Sequence, residues 1–74
     1  NLSERHPFEG AKKVIYRAYG SGDQSVEING STWAALYVAA NKLIRDSGDN
    51  HHIYIEAFQQ SSISPEILML STGS

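Results

Sequence analysis

The sequence predicts an α+β fold, in which a four-stranded, mainly antiparallel sheet carries one helix packed on one face in the order β-β-α-β-β. Two observations support this prediction. Apolar residues recur with a period of two in four short segments, and with a period of about 3.6 in the segment between the second and the third. None of the 6 glycines lies inside these segments, so they mark the turns. The chain therefore divides into an N-terminal arm, residues 1–10, and a single α+β domain, residues 11–74.

The first two strands are predicted on either side of a glycine-rich turn. Residues 12–19 are rich in β-branched and aromatic side chains, which favour strands, and residues 25–28 alternate between polar and apolar. The sequence between them, Gly20-Ser21-Gly22-Asp23, has the composition of a tight turn. We therefore expect the two strands to form a hairpin.

The helix is predicted by the strongest pattern in the chain, which begins at Thr32. Ser31 or Thr32 can accept hydrogen bonds from the first free amides of the helix, and Gly48 suits the left-handed residue just beyond its end. The apolar positions are spaced as on the core-facing side of a helix, and they comprise Trp33, Leu36, Tyr37, Ala40, Leu43 and Ile44. We expect this stripe to be structural.

Two further strands follow the helix. Residues 51–58 alternate in character, and residues 66–70 form a short apolar strand after a polar loop. The pattern leaves the strand order open between two antiparallel arrangements, because both are compatible with the connections. One places the third strand beside the first, and the other places the fourth strand beside the second.

The predicted sheet has two faces and spans ~19 Å across its four strands, whereas the sequence predicts only one helix. The helix can cover one face of the sheet but not both. By strand alternation, the face toward the helix is expected to carry Val14, Tyr16, Val26, Ile28, Ile53 and Ile55. The far face is expected to carry Ile15, Arg17, Tyr19, Tyr54, Glu56 and Phe58, with either Ile67 and Met69 or Leu68 and Leu70. Such a face is too apolar to be purely solvated. It indicates an interaction surface, unless the arm with Leu2, Pro7 and Phe8 folds back over it.

The far face is therefore predicted to bind a protein. The residues expected to contact the partner are Ile15, Arg17, Tyr19, Tyr54 and Phe58. Their aromatic rings would be buried anchors, and Arg17 would be a rim contact that fixes the orientation. A second copy of the chain is one such partner, because 74 residues bury only a small core and gain stability from association. We expect a homo-oligomeric inhibitor or adaptor of another protein.

A nucleotide or a single-stranded nucleic acid is the alternative ligand. Aromatic rings on strands, near Lys12, Lys13 and Arg17, form the kind of platform on which bases stack. The formal net charge of -2 disfavours a long nucleic acid, which needs a continuous basic surface. A small nucleotide needs only a few cations and is compatible with this composition.

No catalytic residue, metal site or cofactor is predicted, and we expect the chain not to be an enzyme. It contains no cysteine, and neighbouring strand residues such as His51 and His52 point to opposite faces, which disfavours a shared metal site. Caps, turns and a solvated loop explain the serines, Asp46 and Asp49. No apolar run approaches the ~18 residues of a membrane span, and the first residues lack a signal-peptide pattern. We therefore expect a cytoplasmic protein without a membrane partner.

The order of elements over residues 12–70, with Ser31-Thr32-Trp33-Ala34-Ala35 opening the helix, is similar to the organisation of small phage-encoded anti-defence proteins. This resemblance implies a non-catalytic inhibitor, often oligomeric, that binds a host enzyme stoichiometrically or sequesters a signalling nucleotide. It implies no role for any individual residue, because a shared layout does not fix a site.

Overall fold

A computed structural model describes residues 1–18, 22–48, 50–51 and 53–73 of the chain. Its elements follow one another as β1 (Lys13–Ala18), β2 (Gly22–Glu27), α1 (Trp33–Ser47), β3 (Tyr54–Gln60) and β4 (Ile67–Gly73). The predicted α+β class and the order β-β-α-β-β are therefore confirmed. Both β3 and β4 begin and end later in the chain than the sequence predicts.

The four strands form one mixed sheet in the order β2-β1-β4-β3. β1 pairs with β2, and β3 with β4, in antiparallel hairpins, whereas β1 and β4 lie side by side in parallel at the centre. Neither predicted strand order is correct, because β4 lies beside β1. The observed order gives a neighbour on each side to the two strands that hold fully buried apolar residues, Val14 in β1 and Leu68 in β4.

The hydrophobic core lies between α1 and the sheet, where the helix packs against β1 and β2. Its largest fully buried side chains are Leu36, Leu43, Leu68 and Val14. The predicted helix stripe is buried at Leu36, Ala40, Leu43 and Ile44, and half-buried at Trp33 and Tyr37. Ile53, which was expected to face the core, precedes β3 and is 46% exposed, so that expectation is wrong.

A β-bulge at Glu56 reverses the faces of β3. Ile55 and Ala57 pair with adjacent residues of β4, so Glu56 between them is left without a partner. Beyond the bulge, Phe58 pairs with Leu70 and faces the helix. An unbroken alternation places Phe58 on the far face, and the inserted residue is the reason that this prediction is wrong.

An aromatic cluster fills the space between α1 and β3. It consists of His6, Phe8, Trp33, Tyr37 and Phe58. The ring centroid of Phe8 lies 6.1 Å from those of both Trp33 and Phe58, within the range of favourable aromatic pairs. The N-terminal arm therefore folds back on the helix side of the sheet and not over the far face.

The same arm completes the start of α1. The amides of the first two helical residues donate to the backbone carbonyls of Glu4 and Leu2, at 2.9 and 2.8 Å. Thr32 accepts the next two amides through its side-chain oxygen and its carbonyl, at 3.2 and 3.1 Å. The bond from Leu36 is the first ordinary bond of the helix, so the three free amides of Trp33, Ala34 and Ala35 are all hydrogen-bonded. Of the two predicted caps, Ser31 and Thr32, Thr32 is the one observed, and Gly48 ends the helix at a φ of 76°, as predicted.

The bulge predicts opposite roles for two aromatic residues of β3. Phe58→Ala should lower the free energy of unfolding by about 3 kcal/mol, the low end of the range for core phenylalanines, because it opens a cavity between Phe8 and Tyr37 at a half-buried position. Tyr54→Ala should change it by less than about 0.5 kcal/mol, because 64% of Tyr54 is exposed. Urea unfolding of dilute protein measures both values. Equal losses for the two variants would contradict the observed register.

The cap predicts a smaller effect at the start of α1. Thr32→Ala should lower the free energy of unfolding by about 1 kcal/mol, because the amide of Ala35 loses its acceptor. Ser31→Ala is the matched control, since the Ser31 side chain is exposed and lies one residue earlier. A larger loss for Ser31→Ala than for Thr32→Ala in the same urea titration would show that the cap is misassigned.

Candidate protein-binding surface

The far face is the side of the sheet opposite α1, and neither α1 nor the N-terminal arm covers it. The strand registers place on it Lys13, Ile15 and Arg17 of β1, Asp23, Ser25 and Glu27 of β2, Ile67, Met69 and Ser71 of β4, and Tyr54, Ala57 and Gln59 of β3. The aliphatic residues Ile15, Ile67 and Met69 lie on the two central strands, and every residue of edge strand β2 on this face is polar. The face is therefore apolar at its centre and polar along its β2 edge.

Three half-buried side chains, Ile15, Ile67 and Met69, form the apolar centre of the far face. Ile15 and Met69 are direct partners across β1 and β4, and Ile67 lies one pair of positions earlier on the same face. The alternative pair from β4, Leu68 and Leu70, is buried under the helix. The apolar centre can lose its remaining contact with water only if another surface covers it.

The loop between β3 and β4 holds a further apolar residue beside this centre. Ile63 is 92% exposed, the highest value among the large apolar side chains that the structure describes. Hydrogen bonds fix the loop around it: the Ser64 amide donates to Ser61 Oγ at 3.0 Å, and the Ile67 amide donates to the Ser64 carbonyl at 2.9 Å. Gln60 Nε2 also donates to the Pro65 carbonyl at 2.7 Å. The loop thus holds an isoleucine in water in a defined position.

An open groove of about 710 Å³ lies between the loop and the sheet. Ile15, Ile67 and Met69 line its base on the sheet, and Ile63 lines it from the loop. Polar residues line the rest of the groove: Arg17, Asp23, Gln59, Gln60, Ser61, Ser62 and Ser64. Protein-binding surfaces combine an apolar centre of this kind with a polar rim. The groove and the projecting Ile63 are therefore the parts of the far face best shaped for a partner.

One ion pair lies at the end of the groove on β1 and β2. Arg17 Nε and one Asp23 carboxylate oxygen are 2.8 Å apart, and a second nitrogen of Arg17 lies 3.3 Å from the other oxygen. The hydrogen bond from Arg17 lowers the pKa of Asp23, and the same bond raises the pKa of Arg17. Both side chains are exposed, so the pair orients Arg17 more than it stabilises the fold.

The five predicted contact residues divide into three groups. Ile15, Arg17 and Tyr54 lie on the far face, with Tyr54 at its margin on β3. Phe58 belongs to the aromatic cluster on the opposite side, and Tyr19 lies outside the described residues. A binding role for the three residues on the far face stays a prediction.

Sequence reasoning missed Ile63, which carries much of the apolar exposure beside the groove. It lies in a loop rich in serine, where no strand or helix period exists to assign it to a surface. The available signal was compositional, since an isoleucine in a polar loop has no core to join. The sequence left open whether Ile67 and Met69 or Leu68 and Leu70 lie on the far face. The register of β1 with β4 places Ile67 and Met69 there.

The remaining sequence candidates are not assembled into a site. Within residues 1–18, 22–48, 50–51 and 53–73, no group of three or more histidine, aspartate or glutamate side chains could hold a metal ion. Asp49 and His52 fall outside these ranges. The Asp46 carboxylate accepts a hydrogen bond from Lys42 Nζ at 3.2 Å across one helical turn. The one described helix is too short and too polar to cross a membrane.

The ion pair predicts the titration of Asp23. Its carboxyl should titrate below the ordinary range of aspartate, and Arg17→Ala should raise that pKa toward the ordinary value. Because folding lowers this pKa, the pair stabilises the fold above the ordinary aspartate range, and the contribution is lost as the pH falls through the titration of Asp23. Side-chain carboxyl chemical shifts report the midpoint. Arg45→Ala is the control, and equal midpoints with and without Arg17 would refute the pairing.

Comparison with known proteins adds no assignment for this surface. No protein-family model, curated protein or solved structure matches the chain. The resemblance to phage anti-defence proteins therefore stays a prediction from the layout, and the functional argument rests on the geometry of the far face.

Proposed function

We propose that the chain is a non-catalytic binding module whose far face docks on another protein, and that this protein is a second copy of the chain. The observation that carries the proposal is the exposed Ile63 beside a groove with an apolar base, which no described part of the chain covers. Apolar surface of this kind is favourably removed from water by association.

The shape of the surface suits a two-fold contact. In a two-fold dimer the same surface of each copy forms the interface. A projection on one copy can therefore fill a recess on the other, and the contact occurs twice. Ile63 projects at one side of the groove, and Ile15 and Met69 line its base. In the proposed dimer, Ile63 of each copy enters the groove of the other.

The size of the far face suits a contact of moderate affinity. Its four strands span ~19 Å, and its longest strands have 7 residues, or ~23 Å. A standard protein interface buries roughly 800 Å² on each partner, and smaller interfaces belong to weaker complexes. Burial of the whole face is not required, because a few central anchors dominate the binding energy.

Two features favour a protein over a nucleic acid as the ligand. The Arg17 guanidinium is already bound to the Asp23 carboxylate, so it is not a free cation for a phosphate. Tyr54 is the one aromatic residue that the described far face carries, since Phe58 lies on the helix side. A stacking platform for successive bases needs several rings and unpaired cations. A role as inhibitor or adaptor of another protein would use the surfaces that the dimer leaves free.

The mass of the chain in solution tests the proposal. Light scattering at about 100 μM, where an interface of micromolar affinity is populated, should give twice the mass of one chain. Ile63→Asp should restore the single-chain mass, because it puts a charge into the apolar groove of the other copy. Val38→Lys, on the exposed side of α1, is the matched control and should stay dimeric.

Two results would rule out the proposed dimer. One is a single-chain mass for the unmodified protein at this concentration. The other is a dimer that Ile63→Asp leaves intact. Circular dichroism confirms that the variants are folded, and Ile63 lies in an exposed loop, so its substitution should not unfold the chain.

A further inference from the structure

The two edges of the sheet differ in their capacity to accept another strand. β3 forms one edge and contains the bulge at Glu56, which interrupts its pairing. β2 forms the other edge and pairs with β1 in an unbroken register from Gly22 to Glu27. Bulges protect an edge against further pairing, whereas a regular edge strand is a template for it. β2 is therefore the open edge.

The ladder between β1 and β2 shows which backbone groups of β2 point outward. The Ile28 amide donates to the Lys12 carbonyl at 2.8 Å, in the pair next to Lys13 and Glu27. Hydrogen-bonded pairs alternate with unbonded pairs in an antiparallel ladder. The backbone amides and carbonyls of Val26 and Gln24 therefore hydrogen-bond to β1.

The residues between them, Asp23, Ser25 and Glu27, direct their amides and carbonyls away from the sheet. Over the ranges that the structure covers, no backbone hydrogen bond outside the β1–β2 ladder reaches these three residues. They form a row of three donors and three acceptors spaced for an extended chain.

An apolar groove of about 200 Å³ accompanies this edge on its helix side. It lies between β2 and α1, where Val26, Ala35, Val38 and Ala39 line it together with the polar residues Glu27, Asn29 and Lys42. Lys42 Nζ donates to the Asp46 carboxylate at 3.2 Å. Val38 is 70% exposed, although it lies beside the buried Ala39 on the helix. A strand added to β2 would point every second side chain into this groove, because strand side chains alternate between faces.

The charged residues of β2 determine which side chains an added strand can place on the far-face side. Asp23 and Glu27 lie on the far-face side of β2, opposite Arg17 and Lys13 of β1. Asp23 is ion-paired with Arg17, whereas Glu27 has no ion pair within 4.0 Å among the residues described. A basic residue opposite Glu27 would therefore be attracted to its carboxylate.

A second copy of β2 does not fit this requirement. Antiparallel pairing of β2 with itself about Ser25 would place Asp23 of each copy opposite Glu27 of the other. Like charges directly opposite each other destabilise a strand pair. The charge pattern therefore favours a basic segment from a different protein.

We propose that the β2 edge binds an extended segment of another protein as a fifth strand, with a basic side chain opposite Glu27 and apolar side chains in the groove beside Val38. The main chain of the segment would supply most hydrogen bonds, and its alternating side chains would supply the specificity. This site goes beyond the proposed dimer, because Glu27 and the groove beside Val38 lie outside the groove that receives Ile63.

A short peptide of alternating lysine and valine, blocked at both ends, is the probe. In a titration followed by amide chemical shifts, it should shift the amides of Asp23, Ser25 and Glu27. A peptide of alternating glutamate and valine should bind at least about tenfold more weakly, because one of its carboxylates would lie opposite Glu27.

Ser25→Pro tests the added strand directly. The Ser25 amide points away from β1, so proline removes an outward donor without removing a ladder bond, and such edge positions tolerate proline. This variant should bind the lysine–valine peptide at least about tenfold more weakly. Val38→Lys is the second variant: it leaves the backbone unchanged, alters the groove and should weaken binding to a similar degree.

Three outcomes would overturn the proposal. The first is that the unmodified chain does not bind the lysine–valine peptide. The second is that Ser25→Pro and Val38→Lys both bind the peptide as tightly as the unmodified chain. The third is that Ser25→Pro converts a dimer into single chains, which would assign the edge to a second copy. Ile63→Asp should bind the peptide normally, so failure of the proposed dimer and failure of this site are distinguishable.

Discussion

The structure depends on one constraint: a single helix must cover a sheet that has two faces and four strands. α1 packs against β1 and β2, so even the helix side of the sheet is only partly covered by it. The aromatic cluster closes the remaining part, and its ring from the arm, Phe8, contacts both the helix and β3. Among the described residues no equivalent layer lies on the far face, where Ile15, Ile67 and Met69 stay partly in water. The proposed dimer follows from this unequal cover, because apolar surface that the chain does not bury by itself is available to a partner.

The N-terminal arm is an integral part of the fold and not an appendage. Its carbonyls bind the first two amides of α1, and its rings complete the aromatic cluster. The arm also buries a histidine. His6 Nδ1 accepts a hydrogen bond from the Phe8 amide at 3.1 Å, and its Nε2 is buried without a partner among the described residues. The His6 ring packs near Phe8 and Trp33, so the arm is held by ring contacts as well as by backbone bonds.

The sequence was sufficient for elements whose period is not interrupted. The stripe of α1 is buried at Leu36 and Leu43 as predicted, because a helix without insertions keeps its faces. In β3 a single inserted residue, Glu56, moves Phe58 to the opposite face, and no alternation pattern shows where a bulge lies. The strand order was also inaccessible, because the parallel pairing of β1 with β4 joins distant segments through backbone bonds that carry no side-chain signature. Ile63 was missed since a loop has no period from which to infer exposure.

The two proposed contacts differ in physical origin, and together they would give the chain a function that neither gives alone. Contact through Ile63 depends on apolar burial, whereas the β2 edge depends on main-chain hydrogen bonds and on Glu27. A dimer through the far face would carry two β2 edges, one from each copy, held at a fixed separation by the rigid sheets. A partner with two suitable segments would then bind the second edge at a high effective concentration, and its avidity would exceed the affinity of either edge. Bivalent capture of this kind is how a small non-catalytic protein can act as an adaptor or an inhibitor despite the short contact at each edge.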